Sequence, residues 1–229
     1  MRDQLRVGAA ARWTSAAAVL FLLGIAGAVC APPARGDTAV APGVTADEGI
    51  ARLKAGNQRF VKGRFVEKDL SDAKRLELRR GQAPFASILT CSDSRVPPEL
   101  IFDQFQGDVF VARVAGNVAD PVVLGSLEYA QAVLGSTLIV VMGHDRCGAV
   151  EATQKGKDLG PNIGAIVSLI KPSLKPDATL DQAIEENVRG VMRSLPEHSA
   201  GLKAALDAGK IKIVGAVFDI GSGKVNWLE

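Results

Sequence analysis

Two short segments of the chain carry side chains that could bind a metal ion together. The first reads Cys91-Ser92-Asp93-Ser94-Arg95, and the second contains His144 and Cys147. Two cysteine thiolates and one imidazole suit zinc, a borderline-soft ion that takes tetrahedral sulfur and nitrogen ligands. Three protein ligands leave the fourth position open, which is the arrangement of catalytic rather than structural zinc. The sequence therefore predicts a zinc site with room for a water molecule.

Asp93 and Arg95 would add acid–base chemistry to this site. Zinc lowers the pKa of a bound water towards about 7, so that hydroxide forms near neutral pH. A carboxylate beside that hydroxide could accept its remaining proton in a hydrogen bond and orient a lone pair towards a substrate. Arg95 could hold Asp93 in a bidentate ion pair and keep it away from the open metal position. The alternative is that Asp93 is itself the fourth ligand, which would close the site.

Each of these features has a simpler explanation when it stands alone. A cysteine at the end of a strand is more often a core residue, and an Asp-x-Arg pair is usually a surface salt bridge. In an exported chain, Cys91 and Cys147 could also form a structural disulfide. The combination of all the pieces favours a metal site, and the disulfide remains open as an alternative.

Secondary structure must bring the two segments together. Apolar, β-branched runs predict four strands, and a glycine-rich turn predicts a fifth strand that returns antiparallel to the fourth. Helical spacing and capping residues predict helices around these strands. The predicted strands cover residues 86–90, 108–114, 137–142, 211–220 and 225–228, and the predicted helices cover residues 45–62, 71–80, 120–134, 179–195 and 199–208, with another helix from about residue 148.

Strands that alternate with helices predict an α/β fold. The expected sheet has four mainly parallel strands and a C-terminal antiparallel edge strand, with helices on its faces. In an open parallel sheet, ligands bind beyond the carboxyl ends of the strands. Cys91 directly follows the first predicted strand, and His144 follows the third. Neighbouring strands could therefore bring both segments to one edge of the sheet.

The pattern Cys-x-Asp-x-Arg at residues 91–95, followed by His144-x-x-Cys147, resembles the β-carbonic anhydrases. The likeness runs from about residue 46 to the C-terminus and includes residues 113–117 (RVAGN) and 126–130 (SLEYA). It implies that Cys91, His144 and Cys147 bind one zinc ion per chain, with Asp93 and Arg95 as the catalytic dyad. The plant-type branch, whose zinc carries water, further implies substrate-binding roles for Gln82, Phe110 and Tyr129.

The resemblance also implies an activity and an assembly. The reaction would be the zinc-dependent, reversible hydration of carbon dioxide to bicarbonate and a proton, by attack of zinc-bound hydroxide. The family has an N-terminal helical arm wrapped around a partner and active sites at a dimer interface, which implies a homodimer or a higher homo-oligomer. Two alternatives remain open: a hydrolase of carbonyl sulfide or carbon disulfide on the same fold, and a non-catalytic zinc- or bicarbonate-binding module.

The first 36 residues are typical of a secretory signal peptide. Arg2, Arg6 and Arg12 precede a short apolar run at residues 16–29, and small residues follow. We expect a signal peptide at 1–36, a linker at 37–44 and a catalytic domain at 45–229, in a periplasmic or secreted protein that is free of the membrane after cleavage. The alternatives are an N-terminal membrane anchor and a lipid anchor on Cys30.

The charge of the remaining chain argues against one class of partner. The whole chain has 27 basic and 25 acidic residues, and the N-terminal segment holds four of the basic residues but only one acidic residue. The predicted domain is therefore nearly neutral, and it offers no electrostatic footprint for nucleic acid.

Overall fold

The computed structural model describes residues 43–228, which form a five-stranded sheet with helices on both faces. The predicted signal peptide at 1–36, Cys30 and most of the predicted linker lie outside the described residues. The strands are β1 (Ala86–Thr90), β2 (Val109–Arg113), β3 (Leu138–His144), β4 (Lys212–Phe218) and β5 (Val225–Leu228). The helices are α1 (Ala46–Val61), α2 (Asp72–Leu78), α3 (Pro98–Ile101), α4 (Pro121–Ala132), α5 (Gly148–Gln154), α6 (Pro161–Ile170), α7 (Leu180–His198) and α8 (Ala200–Asp207).

The sheet has the strand order β2-β1-β3-β4-β5. The first four strands pair in parallel, and β5 pairs antiparallel with β4. This arrangement confirms the predicted α/β fold with a parallel sheet and an antiparallel edge strand. The central strands β1 and β3 are buried along their whole length, as expected of parallel strands that are covered on both faces.

Alternation along β3 divides the core between the two faces of the sheet. Leu138, Val140 and Met142 pack on the face that is covered by α1 and α3. Ile139 and Val141 point the other way, towards α4, α7 and α8. Successive strand side chains point to opposite faces, so an unbroken apolar run is needed where helices cover both sides.

The capping residues predicted from the sequence are found at the starts of α1 and α4. Thr45 and Glu48 form the predicted capping box of α1, with Glu48 Oε2 accepting a hydrogen bond from the Thr45 backbone N–H at 2.8 Å. Asp120 caps α4 by accepting a hydrogen bond from the Val123 backbone N–H at 2.8 Å, and Pro121 follows at the first helical position.

Two helices and several element ends differ from the sequence-based expectation. The helices α3 and α6 were not predicted, because α3 has only four residues and the helical spacing of Ile163, Ile166, Val167 and Ile170 in α6 was missed. The strand β4 ends at Phe218 rather than at residue 220, and α7 continues through Pro196 to His198 rather than ending at residue 195. The strand β3 continues through Gly143 to His144, since both residues still pair with β4. Among residues 43–228, no helix has the length and apolar character needed to cross a lipid bilayer.

A buried carboxylate fastens the N-terminal helix to this core. Asp103 has a side chain with no exposed surface, and it forms ion pairs with Arg59 of α1 and with Lys68, whose Nζ lies 2.8 Å from Asp103 Oδ1. Its Oδ2 also accepts a hydrogen bond from the Val66 backbone N–H at 3.1 Å. Burial opposes the charged form, but Lys68, Arg59 and Val66 outweigh it and lower the pKa of Asp103.

We expect Asp103→Asn to lower the free energy of unfolding by about 2 kcal/mol, because it leaves two cations without their shared anion. A carboxylate with a lowered folded-state pKa stabilises the fold above its unfolded pKa and loses that contribution as the pH falls. The variant should therefore lose less stability than the wild type below about pH 4. Denaturant titrations across acid pH measure this difference. Asp47→Asn, which removes an exposed ion pair with Lys212, is the control and should behave as wild type.

Candidate metal centre

Three potential metal ligands meet at the carboxyl ends of β1 and β3. Thr90, the last residue of β1, pairs with Met142 in β3, so the chain after each strand emerges side by side. Cys91 follows β1, His144 ends β3, and Cys147 is the N-cap of α5. Their ligand atoms all lie within 4.8 Å of one another, and all three side chains are buried.

The hydrogen bonds of His144 leave one ring nitrogen free for a metal. Its Nδ1 lies 2.8 Å from the carbonyl oxygen of Asp145, which can only accept, so Nδ1 carries the proton in this contact. The other nitrogen, Nε2, is buried and has no hydrogen-bond partner among the described residues. A backbone carbonyl that fixes the tautomer of the ring in this way is typical of metal-binding histidines.

The two cysteines are free thiols, and their ionisation is coupled. A hydrogen bond from the Cys147 thiol lowers the pKa of Cys91 to about 4, and His144 and the Gly116 amide act in the same direction. The same contact with Cys91, together with burial, raises the pKa of Cys147. In the protein alone, one negative charge is therefore favoured on the sulfur pair and a second is opposed. A divalent cation between the sulfurs would remove this opposition.

The donor set fits zinc. It contains two sulfurs and one nitrogen, and zinc binds them at about 2.3 Å and about 2.0 Å, respectively. Three atoms within 4.8 Å of one another can share one ion at such distances. The orphaned nitrogen of His144 supports the fit independently, because a buried polar atom without a partner is costly.

Asp93 and Arg95 form a bidentate ion pair beside the three ligands. Arg95 Nε donates to Asp93 Oδ1 at 2.9 Å, and its Nη2 donates to Oδ2 at 2.7 Å. The same Oδ2 lies 3.8 Å from His144 Nε2. Chiefly through this hydrogen bonding, the guanidinium holds the pKa of the Asp93 carboxyl well below its usual range. Asp93 is therefore an anion at the edge of the cluster, with Arg95 holding both of its oxygens.

Three residues that support the ligands were not identified as site residues from the sequence. Arg113 binds the loop after β1, since its Nε donates to the Cys91 carbonyl at 3.1 Å and its Nη2 donates to the Asp93 carbonyl at 2.6 Å. The Gly116 N–H donates to Cys91 Sγ at 3.4 Å, and Asn187 on α7 donates to the Gly116 carbonyl at 2.8 Å. A sequence signal did exist for Asn187, because it is a polar residue beside the apolar stripe of a predicted helix.

The three predicted substrate-binding residues do not join the cluster within one chain. Phe110 and Tyr129 form a ring pair, with centroids 6.4 Å apart, beside the edge strand β2. Phe110 pairs with Ser87, four residues before Cys91, which corresponds to about 13 Å along the strand. Gln82 precedes β1 and lines a surface depression with Arg75 and Gly107.

Most of the chain is similar in sequence to known carbonic anhydrases. Residues 86–225 match the family model described as carbonic anhydrase. The carbonic anhydrase of Mycolicibacterium smegmatis is 40% identical over 182 residues, covering 76% of this chain and 88% of that protein. Carbonic anhydrase 2 of Mycobacterium tuberculosis is 39% identical over 181 residues, covering 75% and 87%, respectively.

Solved structures agree with the fold and with the class. The β-carbonic anhydrase CcaA superposes with a TM-score of 0.62 at 27% identity, covering 79% of this chain and 95% of that chain. One of two tetrameric β-carbonic anhydrases from the filamentous ascomycete Sordaria macrospora superposes with a TM-score of 0.59 at 25% identity, covering 67% and 85%. The family model, the relatives and the solved structures agree, and the chain also carries the Cys, His and Cys cluster at its strand ends. The chain therefore belongs to the β-carbonic anhydrase family.

Proposed function

We infer that the chain catalyses the reversible hydration of carbon dioxide to bicarbonate and a proton. The observation that carries this inference is the convergence of Cys91, His144 and Cys147 within 4.8 Å, with Asp93 held beside them. Membership of the family and two relatives near 40% identity that are named carbonic anhydrases support the same activity.

We propose that one zinc ion per chain binds Cys91, His144 and Cys147. When bound, zinc would lower the pKa of a water molecule to near 7, which provides hydroxide for attack on the carbon of carbon dioxide. Asp93, kept ionised by Arg95, is available to accept a hydrogen bond from that water and orient it. Arg95 keeps both carboxylate oxygens occupied, which works against Asp93 becoming a fourth ligand. The Asp145 carbonyl holds the His144 ring in the orientation that points Nε2 at the cluster.

The other functions considered for this sequence are less well supported. Carbonyl sulfide and carbon disulfide are linear, apolar molecules that the same site could hydrolyse, but the relatives are named for carbon dioxide chemistry. A non-catalytic zinc- or bicarbonate-binding module would have no use for the Asp93–Arg95 pair beside the ligands. A Cys91–Cys147 disulfide finds no support in the two free thiols.

We further propose that the chain works as a homodimer or larger homo-oligomer whose active sites are completed by a partner chain. Gln82, Phe110 and Tyr129 would then belong to the pocket of the neighbouring subunit. The edge strand β2 is only half-buried, Tyr129 is 47% exposed, and Val122 on the same helix is 76% exposed. Helix α2 has no buried residue. A second copy of the chain could cover these exposed surfaces. The related Sordaria macrospora enzymes are tetrameric, which supports an assembly of this kind.

Export remains our proposal for the location of the enzyme. It rests on the arginine-rich start and the apolar run at residues 16–29. We expect the mature protein, recovered from cells that express the full chain, to begin near residue 37 in the periplasmic or secreted fraction. N-terminal sequencing and fractionation measure this. A full-length chain retained with membranes would instead support the anchored alternative.

Asp93→Asn should lower carbon dioxide hydration about 10²–10⁴-fold while zinc stays at one per chain, because the carboxylate is lost but the ligands are not. His144→Ala should lose both zinc and activity. Stopped-flow hydration assays and metal analysis of the purified protein measure the two outcomes. Asp181→Asn and His198→Ala are matched controls, since both residues are exposed. Full activity in Asp93→Asn would contradict the assigned role of Asp93.

The shared pocket can be tested by mixing two variants, each of which alters a different part of the predicted site. In Gln82→Ala, only the predicted pocket residue is lost, and in Asp93→Asn only the predicted dyad is lost. A mixed oligomer contains one site that combines an intact Gln82 from one chain with an intact Asp93 from the other. After dissociation and reassembly, we expect hydration activity above the average of the separate variants. Additive activity would show that each site is complete within one chain.

A further inference from the structure

The turn that follows β2 provides a hydrogen bond to one of the predicted zinc ligands. Gly116 lies in a short turn at residues 115–117, and its backbone N–H points at Cys91 Sγ, 3.4 Å away. Cys91 is 5% exposed, so water has little access to this sulfur. A donor directed at a buried thiolate stabilises the negative charge on it and fixes the direction of the sulfur lone pairs.

Any residue other than glycine would be strained at this position of the turn. Gly116 has a φ of 71°, in the left-handed region, and a Cβ placed there would lie 2.7 Å from Ile170 Cδ1. Glycine is also the residue with the greatest backbone freedom. The conformation that aims the N–H at Cys91 is therefore not fixed by the turn residue itself, and it needs a contact from elsewhere.

Asn187 provides that contact from the opposite side of Gly116. Its Nδ2 donates to the Gly116 carbonyl oxygen at 2.8 Å, across 71 residues of sequence. The side chain has no exposed surface, and its Oδ1 has no hydrogen-bond partner among residues 43–228. Burying an amide with one end unpaired costs stability, so the fold gains little from this residue as a core element.

The sheet is shaped to let Asn187 reach the turn. A Cβ at Gly143 would lie 2.7 Å from Val188 Cγ2 and 3.3 Å from Ile184 Cγ2, both on α7. The missing side chain allows α7 to lie against β3 just before the ligand His144. Asn187 lies between Ile184 and Val188 in sequence. The close approach of α7 to β3 therefore brings the amide of Asn187 to the turn that donates to Cys91.

We propose that Asn187 is a positioning residue of the metal centre. By clamping the Gly116 peptide it holds the N–H on the Cys91 sulfur, and so it maintains the geometry and electron density of that ligand without touching metal or substrate. This proposal rests on the zinc site of the proposed function. Its chemistry is that of an outer-sphere hydrogen bond, which commonly changes metal affinity by 10–100-fold when removed.

The test compares Asn187→Leu with Asn57→Leu. Asn57 is also a buried asparagine that binds backbone, since its Nδ2 donates to the carbonyls of Ile101 and Gly223, but it lies away from the cluster. Zinc affinity, measured by competition with a chelator, should fall about 10–100-fold in Asn187→Leu and stay unchanged in Asn57→Leu, although both variants lower the melting temperature.

A second readout responds to the sulfur itself. In the protein loaded with Co²⁺ in place of zinc, loss of the N–H donor raises the energy of the sulfur lone pairs, so the sulfur-to-cobalt charge-transfer band should move to longer wavelength in Asn187→Leu alone. Asn187→Ser, which is too short to reach the Gly116 carbonyl, should show the same changes, and it serves where Asn187→Leu does not fold.

Each result decides between the possibilities. Equal zinc affinity and an unmoved charge-transfer band in a folded Asn187 variant would overturn the positioning role. If both Asn187 variants fail to fold by circular dichroism, the residue is needed for the fold as a whole, and the proposal is equally wrong. Failure of the wild-type chain to bind zinc would instead refute the proposed function, which separates the two failures.

Discussion

The site depends on a single geometric constraint, which is that two sulfurs and one ring nitrogen must reach the same point from different strands. Parallel pairing of β1 with β3 satisfies it, because the register that joins Thr90 to Met142 brings the following residues out at one edge of the sheet. A shift of one residue in this register would turn Cys91 to the other face. Close packing against the helices on both faces opposes that shift, since it would move Leu138 and Val140 out of the layer that they fill beside α1 and α3.

The same constraint explains why glycine and asparagine appear inside otherwise apolar elements. Gly143 allows α7 to approach β3, and Gly116 leaves room for Ile170 and Ala149 beside the turn that donates to Cys91. Both positions lie within one residue of a ligand or of its hydrogen-bond donor. Packing in this region therefore serves the position of the sulfur as well as the burial of apolar surface, and Asn187 connects the two roles.

Sequence reasoning recovered the elements that have strong local signals. The apolar runs of β1 and β3, the capping residues Thr45 and Asp120, and the glycine turn before β5 all depend on neighbours in the chain. The cluster itself was predictable because Cys91 follows, and His144 ends, a strand that the sequence marks clearly. The hydrogen bonds from Arg113 to the loop after β1, and from Asn187 to Gly116, were not predictable in this way. Each joins residues that are far apart in sequence, and each depends on the conformation of a loop. The distance between Phe110 and the cluster required the strand register, which no local pattern specifies.

Asp93 and Arg95 balance each other's charge beside the cluster, and this pairing explains the placement of Asp93. Two thiolates would neutralise a divalent cation bound between them, and Arg95 neutralises Asp93 at the exposed rim. Without Arg95, a carboxylate so close to the negatively charged sulfur pair would face both repulsion and loss of solvent, which raise the free energy of the charged form. The ion pair removes this penalty and leaves Asp93 Oδ2 only 3.8 Å from His144 Nε2. Asp93 can therefore remain ionised beside a sulfur-rich centre because its partner, Arg95, lies only two residues further along the same loop. The geometry of this ion pair does not depend on any distant element of the fold.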